Sequence, residues 1–354
     1  IAELQVRPVT VPLPRPWGPN VPTLTFLETT VIDSDGAEGV GFSWTPTIGA
    51  ASVAAMLRHD IRDRVLGEAV DPVALWEPLW RHLHEAGGGG VTTMAMAGLD
   101  LALWDLAGVR AGTPVQSLLG ASADAASDVY GSGVNLHHPL DELVEQARSW
   151  VARGFPAVKI KVGSSDLARD LARVAAVRDV VGDRPLMIDA NQRWDLEQAV
   201  TALDALAPFA PGWIEEPLRA DDLAAYEALA ARTSIPIACG ENLYTRYRFE
   251  EFARSGAVRT LQPNVVRIGG ITPLAAIDAA CADAGVDLAL HLLPELSAQV
   301  APALRNPSPV EVVDGAELAA LGVLATRSPV EVREGCILPV PHDGIGIRFA
   351  GEGA

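Results

Sequence analysis

Ala157-Val-Lys-Ile-Lys-Val-Gly163 contains the only two lysines of this 354-residue chain, Lys159 and Lys161. Every other positively charged side chain is an arginine. Arginine stays charged at physiological pH, whereas a buried lysine can lose its proton and act as a base. In a strand, residues i and i+2 point to the same face, so we expect the two amines side by side, each lowering the pKa of the other. The apolar neighbours favour this interpretation over a pair of solvated strand lysines.

The same stretch is one of eight short apolar segments that alternate with amphipathic helical patterns from about residue 127 onward. Strands are predicted over 129–134, 157–162, 186–190, 213–216, 237–240, 260–263, 288–291 and 310–313. The helices between them are predicted over 139–153, 165–181, 195–207, 221–232, 246–255 and 271–284. Eight strands with intervening helices predict an α/β fold built on a parallel barrel.

Residues 1–122 lie before this alternation and predict a separate α+β domain. Strands are expected over 24–32 and 39–43, and helices over 50–66, 72–84 and 92–111. The last helix is apolar and rich in alanine, which predicts burial. We therefore expect three parts: the α+β domain over 1–122, the barrel over 123–320, and a C-terminal segment over 321–354 that returns to the first domain.

Composition excludes several classes of partner. The formal net charge of −18 disfavours binding to nucleic acid, whose phosphates require basic surfaces. No apolar run approaches the roughly 18 residues that a membrane-spanning helix needs. The three cysteines, Cys239, Cys281 and Cys336, are far apart and odd in number, which fits a reducing cytoplasm better than a disulfide framework. The expected partner is a small molecule.

Acidic residues follow three successive predicted strands at one interval. Glu215 follows Asp189 by 26 residues, and Glu241 follows Glu215 by 26 residues. This interval is the length of one strand-helix unit. Catalytic groups of parallel barrels come from the C-terminal ends of the strands, so these three carboxylates are expected to converge. A hard divalent cation would relieve their repulsion, and Mg²⁺ accepts oxygen ligands while keeping sites for water or substrate. Equal spacing on apolar strands disfavours the alternative of three separate solvated or helix-capping acids.

Five motifs occur in the order Val158-Lys-Ile-Lys161, Asp189-Ala-Asn191, Trp213-Ile-Glu-Glu-Pro217, Cys239-Gly-Glu-Asn242 and Arg267-Ile-Gly-Gly270. Together they resemble the enolase superfamily, in particular its mandelate racemase-like branch (the mandelate racemase/muconate lactonizing enzyme family). The resemblance implies a (β/α)7β TIM-like barrel with an N-terminal α+β capping domain, and commonly a homo-oligomer. It also implies removal of a proton α to a carboxylate by a lysine, with Mg²⁺ stabilising the enediolate, as is known for this superfamily.

The resemblance assigns roles to individual residues. It makes Asp189, Glu215 and Glu241 the ligands of Mg²⁺. It makes Lys161 the base, and it places Lys159 at the substrate carboxylate, where it also depresses the pKa of Lys161. Asn191 is expected near the substrate.

His291 fits the pattern of the branch, whereas Asn264 departs from it. By resemblance, His291 is the second acid or base. The branch usually has an aspartate at position 264 that hydrogen-bonds this histidine, and the muconate-lactonising and dipeptide-epimerase branch has a lysine. Asparagine orients an imidazole without supplying negative charge, so we expect His291 to be a weak base that serves chiefly as an acid. Glu311 resembles the residue that hydrogen-bonds the substrate carboxylate, with an ordinary barrel-rim acid as the alternative.

Two segments before the barrel are expected to select the substrate. Pro14-Arg-Pro-Trp-Gly-Pro-Asn20 is too rich in proline for regular structure and predicts a mobile lid that excludes water. Ser43-Trp-Thr-Pro-Thr47 follows a strand and predicts a second wall. The candidates for substrate contact are Arg15, Trp17, Asn20, Trp44 and Thr45, and plain surface loops are the alternative.

These residues predict a Mg²⁺-dependent lyase that dehydrates a sugar acid to a 2-keto-3-deoxy acid. Lys161 would remove the α proton, and the β-hydroxyl would leave with a proton from His291 or another acid. The first alternative is a racemase or epimerase with Lys161 and His291 on opposite faces, which Asn264 disfavours because a two-base mechanism needs His291 poised near neutrality. An alternative of another class is a non-catalytic barrel that binds a metal or a ligand.

Overall fold

The computed structural model describes residues 1–17, 21–306 and 308–351. An antiparallel sheet forms the first part of the chain, in the order β1 (Glu3–Pro12), β2 (Thr23–Ile32) and β3 (Glu38–Thr45). Strand β1 is absent from the sequence-based prediction. It contains Pro8 and Pro12, which are tolerated because β1 lies at the edge of the sheet.

The helices that follow are α1 (Ala50–Met56), α2 (Arg62–Val65), α3 (Pro72–Leu83), α4 (Val91–Ala111) and α5 (Val115–Leu118). Of these, α1 and α4 pack on the sheet. A π-helical turn over Leu57–Ile61 interrupts the helix predicted at 50–66. Helix α4 is buried, as predicted, and packs on β3 because Gly41 has no side chain: a Cβ there would collide with the carbonyl oxygen of Gly98. In the described ranges, no helix has the length and apolar character needed to cross a membrane.

Within the described residues, the barrel alternates eight strands with seven helices. In chain order these elements are β4 (Ser127–Ser132), α6 (Leu140–Ala152), β5 (Val158–Lys161), α7 (Leu167–Val181), β6 (Leu186–Asp189), α8 (Leu196–Leu206), β7 (Ile214–Glu215), α9 (Leu223–Ala230), β8 (Ile237–Cys239), α10 (Arg246–Ser255), β9 (Thr260–Leu261), α11 (Leu274–Ala284), β10 (Asp287–Leu288), α12 (Pro294–Val300) and β11 (Val310–Val313). Neighbouring strands pair in parallel from β4 to β10, β11 pairs with β4, and a bridge from Leu290 to Val310 closes the barrel. The predicted (β/α)7β barrel with its capping domain is confirmed.

The C-terminal segment contacts both parts of the molecule. A hairpin of β12 (Val330–Arg333) and β13 (Cys336–Pro339) extends the barrel sheet, because β13 pairs with β4. Farther along, the Phe349 ring lies 5.4 Å from the rings of Phe26 and Phe42 in the capping sheet. The Arg7 guanidinium on β1 donates to the Phe349 carbonyl at 3.2 Å. These contacts hold the capping domain over the barrel.

Candidate active site

The carboxyl ends of neighbouring strands bring the lysines and acids of the predicted site to one level. In the parallel ladder Lys161 on β5 is paired with Asp189 on β6, and Asp189 with Glu215 on β7. Glu241 follows β8, the next strand, by two residues. Asp189 and Glu215 are fully buried, and the Glu241 side chain is 12% exposed. The backbone therefore sets three carboxylates on three successive strand ends, as their spacing predicts.

The carboxylate side chains, however, pair with basic groups rather than with one another. Lys159 Nζ lies 2.7 Å from both oxygens of Glu215, and Gln262 Nε2 donates to Glu215 Oε2 at 2.6 Å. Lys161 Nζ donates to Asp189 Oδ2. Gln262 has no role in the sequence-based prediction, although its place one residue after β9 follows the same strand-end rule.

Glu241 completes this pattern, since its Oε2 lies 2.6 Å from His291 Nε2. Within the part of the chain that the structure describes, no three Asp, Glu, His or Cys side chains are arranged to hold one metal ion. The assignment of these three carboxylates to one metal ion therefore stays a prediction. As the side chains lie here, each carboxylate is paired with the nearest basic side chain, which relieves the repulsion among them.

The pKa values of the two lysines also differ from expectation. Burial lowers the pKa of Lys161 and so does the charge of Lys159, but the carboxylates of Asp189, Glu241 and Glu215 outweigh both, and the pKa is raised. Lys159 is 1% exposed, and despite its burial the adjacent Glu215 and Glu311 hold its pKa well above the ordinary value. Among protein groups alone, Lys159 depresses the pKa of Lys161 as expected, but this is not the dominant effect.

Glu216 is a fourth buried carboxylate beside these groups. It adopts φ 37°, which turns the chain after β7, and its oxygens accept hydrogen bonds from Gln192 Nε2 at 2.9 Å and Asn242 Nδ2 at 2.8 Å. Burial, followed by the charges of Glu241 and Asp189, raises its pKa to about 8. Among the described side chains, the donors to Glu216 are all amide groups, whereas Glu215 is bound by a lysine.

Asn264 fixes the orientation of the His291 ring. Its Oδ1 accepts hydrogen bonds from the backbone N–H groups of Val266 at 3.1 Å and Arg267 at 3.2 Å. Because backbone N–H groups can only donate, the Nδ2 group must be the one that faces His291 Nδ1, at 2.9 Å. Nδ1 therefore accepts, and the neutral ring carries its proton on Nε2. That Nε2–H is directed at Glu241.

A cavity of about 240 Å³ opens above these groups. The predicted site residues that line it are Trp17, Trp44, Lys161, Asn191, Glu241, His291 and Glu311. Trp17 and Trp44 meet edge to face with ring centroids 6.3 Å apart and form a wall supplied by the capping domain.

Other predicted residues lie outside the lining of this cavity. Lys159 is buried beneath it and lies 2.8 Å from Glu311, which is itself 2% exposed and so is not an ordinary rim acid. Thr45 is buried at the end of β3. Arg15 lines an adjoining cavity. Asn20 lies outside the described residues.

Comparison with known proteins finds two family models that together match most of the chain. The model of the mandelate racemase / muconate lactonizing enzyme N-terminal domain matches residues 3–120. The enolase C-terminal domain-like model matches residues 142–353.

Individual relatives match most of the chain, at identities between 34% and 38%. A 3,6-anhydro-alpha-L-galactonate cycloisomerase of Streptomyces coelicolor is 38% identical over 317 residues, which are 89% of this chain and 86% of the relative. An L-talarate/galactarate dehydratase of Salmonella typhimurium is 37% identical over 265 residues, 74% of this chain and 66% of the relative. The crystal structure of a racemase from Streptomyces coelicolor with bound magnesium superposes with a TM-score of 0.91 at 34% identity, covering 98% of this chain and 97% of the other.

Proposed function

The chain belongs to the mandelate racemase/muconate lactonizing enzyme family of the enolase superfamily, as its motifs predict, and from this premise we propose that it is a Mg²⁺-dependent sugar-acid lyase. The enzyme removes the proton α to the carboxylate and then expels the oxygen on the β carbon. With a hydroxyl as the leaving group, the product is a 2-keto-3-deoxy acid. Relatives that dehydrate galactonate, talarate or arabinonate support this class of reaction.

Asp189, Glu215 and Glu241 are the residues that we assign to hold Mg²⁺. They are buried carboxylates on adjacent strand ends, and carboxylate oxygens are the hard ligands that Mg²⁺ prefers. Burial, and then the charge of Asp189, raises the pKa of Glu215 well above its ordinary value, which supports a demand for positive charge at this place. When bound, the ion stabilises the negative charge that develops on the substrate carboxylate as the α proton leaves.

Lys161 is the residue that we assign as the base. Its side chain is 12% exposed and lines the cavity, whereas Lys159 is buried below and keeps its charge beside Glu215 and Glu311. A base must be uncharged to accept a proton, and a divalent cation held by the same carboxylates would offset the field that raises the pKa of Lys161. We assign substrate contacts to Asn191, Glu311, Trp17 and Trp44.

The contact between Asn264 and His291 is the observation that carries the choice among reactions. With its proton on Nε2, the neutral ring can donate a hydrogen bond to a departing oxygen and stabilise the charge that develops there, without giving the proton up. Accepting a proton at Nε2 would require a second N–H on Nδ1, which would then face the N–H donors of Asn264. A racemase needs a base on each face of the substrate, whereas elimination needs one base and one acid. The arrangement therefore favours elimination over racemisation.

A second candidate function is cycloisomerisation, and the relative that is 38% identical favours it. A 3,6-anhydro sugar acid carries its ring oxygen on C3, β to the carboxylate. Abstraction of the same α proton would then open the ring instead of releasing water. Lys161 and His291 keep their roles in both reactions, and only the leaving oxygen differs.

One assay separates these functions. The protein is incubated with Mg²⁺ and a panel of sugar acids and 3,6-anhydro sugar acids. Keto products are trapped with semicarbazide, and their masses are measured by mass spectrometry. Dehydration gives a keto acid that is lighter by one water, and cycloisomerisation gives a keto acid of unchanged mass. Formation of an epimer without any keto acid would contradict both.

We also propose that the enzyme is a cytoplasmic homo-oligomer. The three cysteines are free, which supports a reducing compartment, and the family resemblance implies the oligomer. Analytical ultracentrifugation tests the assembly, and cell fractionation tests the compartment.

A further inference from the structure

The cavity above the catalytic lysine continues into a second cavity of about 360 Å³, and Lys161, Asn191 and Trp17 line both. The charged or titratable side chains that line the second cavity, among the described residues, are all basic: Arg15, His137, His138, Lys161 and Arg193. This is a local reversal of charge in a protein of formal net charge −18. We propose that the second cavity binds a second carboxylate of the substrate through Arg193. The inference rests on the proposed function and names its substrate class, the dicarboxylic sugar acids.

The turn after β6 directs Arg193 to this place. Asn191 and Gln192 adopt φ 44° and 62°, and the backbone N–H of Arg193 donates to the Ala190 carbonyl at 3.2 Å. This tight turn lets Asn191 and Arg193 line one cavity. The Arg193 stem packs on Gly163, where an added Cβ would lie 2.8 Å from Arg193 Cδ. The stem of this exposed side chain is thus positioned by the fold, and its guanidinium reaches into the second cavity.

Unlike Arg15 and Arg267 near the site, Arg193 has a guanidinium whose N–H groups are not bound to another described residue. Arg15 pairs with Glu142 at 2.6 Å, and Arg267 donates to the Glu241 carbonyl at 2.8 Å. Within the described residues, the Arg193 side chain makes no ion pair or hydrogen bond. A guanidinium presents paired N–H donors that match a carboxylate in two parallel hydrogen bonds, and such charge-assisted pairs are the strong ones.

The first cavity offers no comparable place for the distal end of a diacid. Glu241 and Glu311 line it, and its arginine, Arg267, is already engaged. A second carboxylate there would meet the like charges of Glu241 and Glu311. Because Lys161 lies at the junction, a substrate whose α carbon faces this lysine can extend its chain toward Arg193.

The test compares a diacid and a monoacid that differ only at C6, such as galactarate and D-galactonate. Such a pair is measured for every configuration of the hexose chain. In the native enzyme we expect kcat/KM to favour the diacid. Arg193→Gln should lower kcat/KM for the diacid roughly 10- to 100-fold, the size of a lost charge-assisted hydrogen bond, and change the value for the monoacid less than about 3-fold. Arg193→Lys should restore part of the loss. Arg62→Gln is the matched control, since Arg62 is exposed on α2, outside both cavities.

Several results would overturn the inference. These are a native preference for the monoacid or for its 6-phosphate, an equal loss on both acids in Arg193→Gln, or the same loss in Arg62→Gln. If no acid is turned over, the proposed function fails by itself. The inference is then judged from the rise in melting temperature that each acid of a pair causes in the presence of Mg²⁺. This rise must be greater for the diacid than for the monoacid in the native protein, and the difference must disappear in Arg193→Gln.

Discussion

Asn264 donates its side-chain amide to His291 Nδ1 across 2.9 Å, while two backbone N–H groups hold its oxygen in place. The amide cannot rotate to become an acceptor without leaving those N–H groups unpaired. This one contact gives the imidazole a donating Nε2. It is the feature by which the site is suited to expel a leaving group rather than to shuttle a proton between two faces of a carbon.

Replacing Asn264 with aspartate is predicted to reverse the direction of proton transfer at His291. The carboxylate accepts Nδ1–H, supplies negative charge beside the imidazole and leaves Nε2 free to take a proton. In D₂O, we expect Asn264→Asp to raise the rate at which deuterium enters the α carbon on the side facing His291 at least roughly 10-fold. The epimer of the substrate should appear at the same time. Asn264→Ala is the control and should show no such gain. Equal exchange in the two variants would refute the tautomer assignment.

Lys161→Arg is predicted to abolish proton abstraction while preserving charge. Arginine stays protonated at any pH that the protein tolerates, so it cannot serve as the base. Positioned general bases contribute roughly 10²- to 10⁴-fold, and kcat should fall by that amount. Thermal melting followed by circular dichroism checks that the variant is folded. A folded variant that retains more than about a tenth of kcat would exclude Lys161 as the base.

Adjacent glutamates provide a matched pair for testing the metal site. Glu215→Gln should weaken Mg²⁺ binding at least roughly 10-fold, because it removes a charged oxygen ligand. Glu216→Gln should leave the affinity within a few-fold, since Gln192 and Asn242 already donate to that carboxylate. The readout is the shift of melting temperature with Mg²⁺ concentration, and chelation should reverse it. If the two variants bind Mg²⁺ equally well, the assignment of Glu215 is wrong.

Glu295 on α12 is predicted to make stability depend on pH away from the catalytic site. Burial raises its pKa from 4.5 to about 7, and its Oε2 has no hydrogen-bond partner among the described residues. Between these values the folded state binds the proton more tightly than the unfolded state, so the free energy of unfolding falls as the pH rises from about 4.5 through 7.

Glu295→Gln should remove this pH dependence. Relative to the native protein, the variant should gain roughly 1–3 kcal/mol between pH 5 and pH 8, which follows from about 1.4 kcal/mol per pKa unit with allowance for relaxation. Urea unfolding at the two pH values measures it. A stability difference that does not change with pH would show that Glu295 is not protonated in the folded state.

Sequence periodicity predicts the barrel and the level of the site, because a parallel barrel gathers its strand ends at one rim. The interval of one strand-helix unit between Asp189 and Glu215 therefore corresponds to their pairing in the ladder. Spacing does not predict side-chain rotation, which is why the pairing of these acids with lysine and of Glu241 with His291 was not foreseen. Arg193 was missed for a related reason, since its direction depends on two positive φ angles that no periodicity encodes.

The most direct test of the account is the separation of proton abstraction from elimination in His291→Asn. In D₂O with Mg²⁺ and the reactive sugar acid, the account predicts that Lys161 still exchanges the α proton for deuterium, at a rate within about 10-fold of native turnover, while keto-acid formation falls at least about 100-fold. Proton NMR of the recovered acid and product measures both rates in one sample. A folded His291→Asn variant that eliminates at the native rate, or that loses exchange together with elimination, would contradict the division of labour between Lys161 and His291.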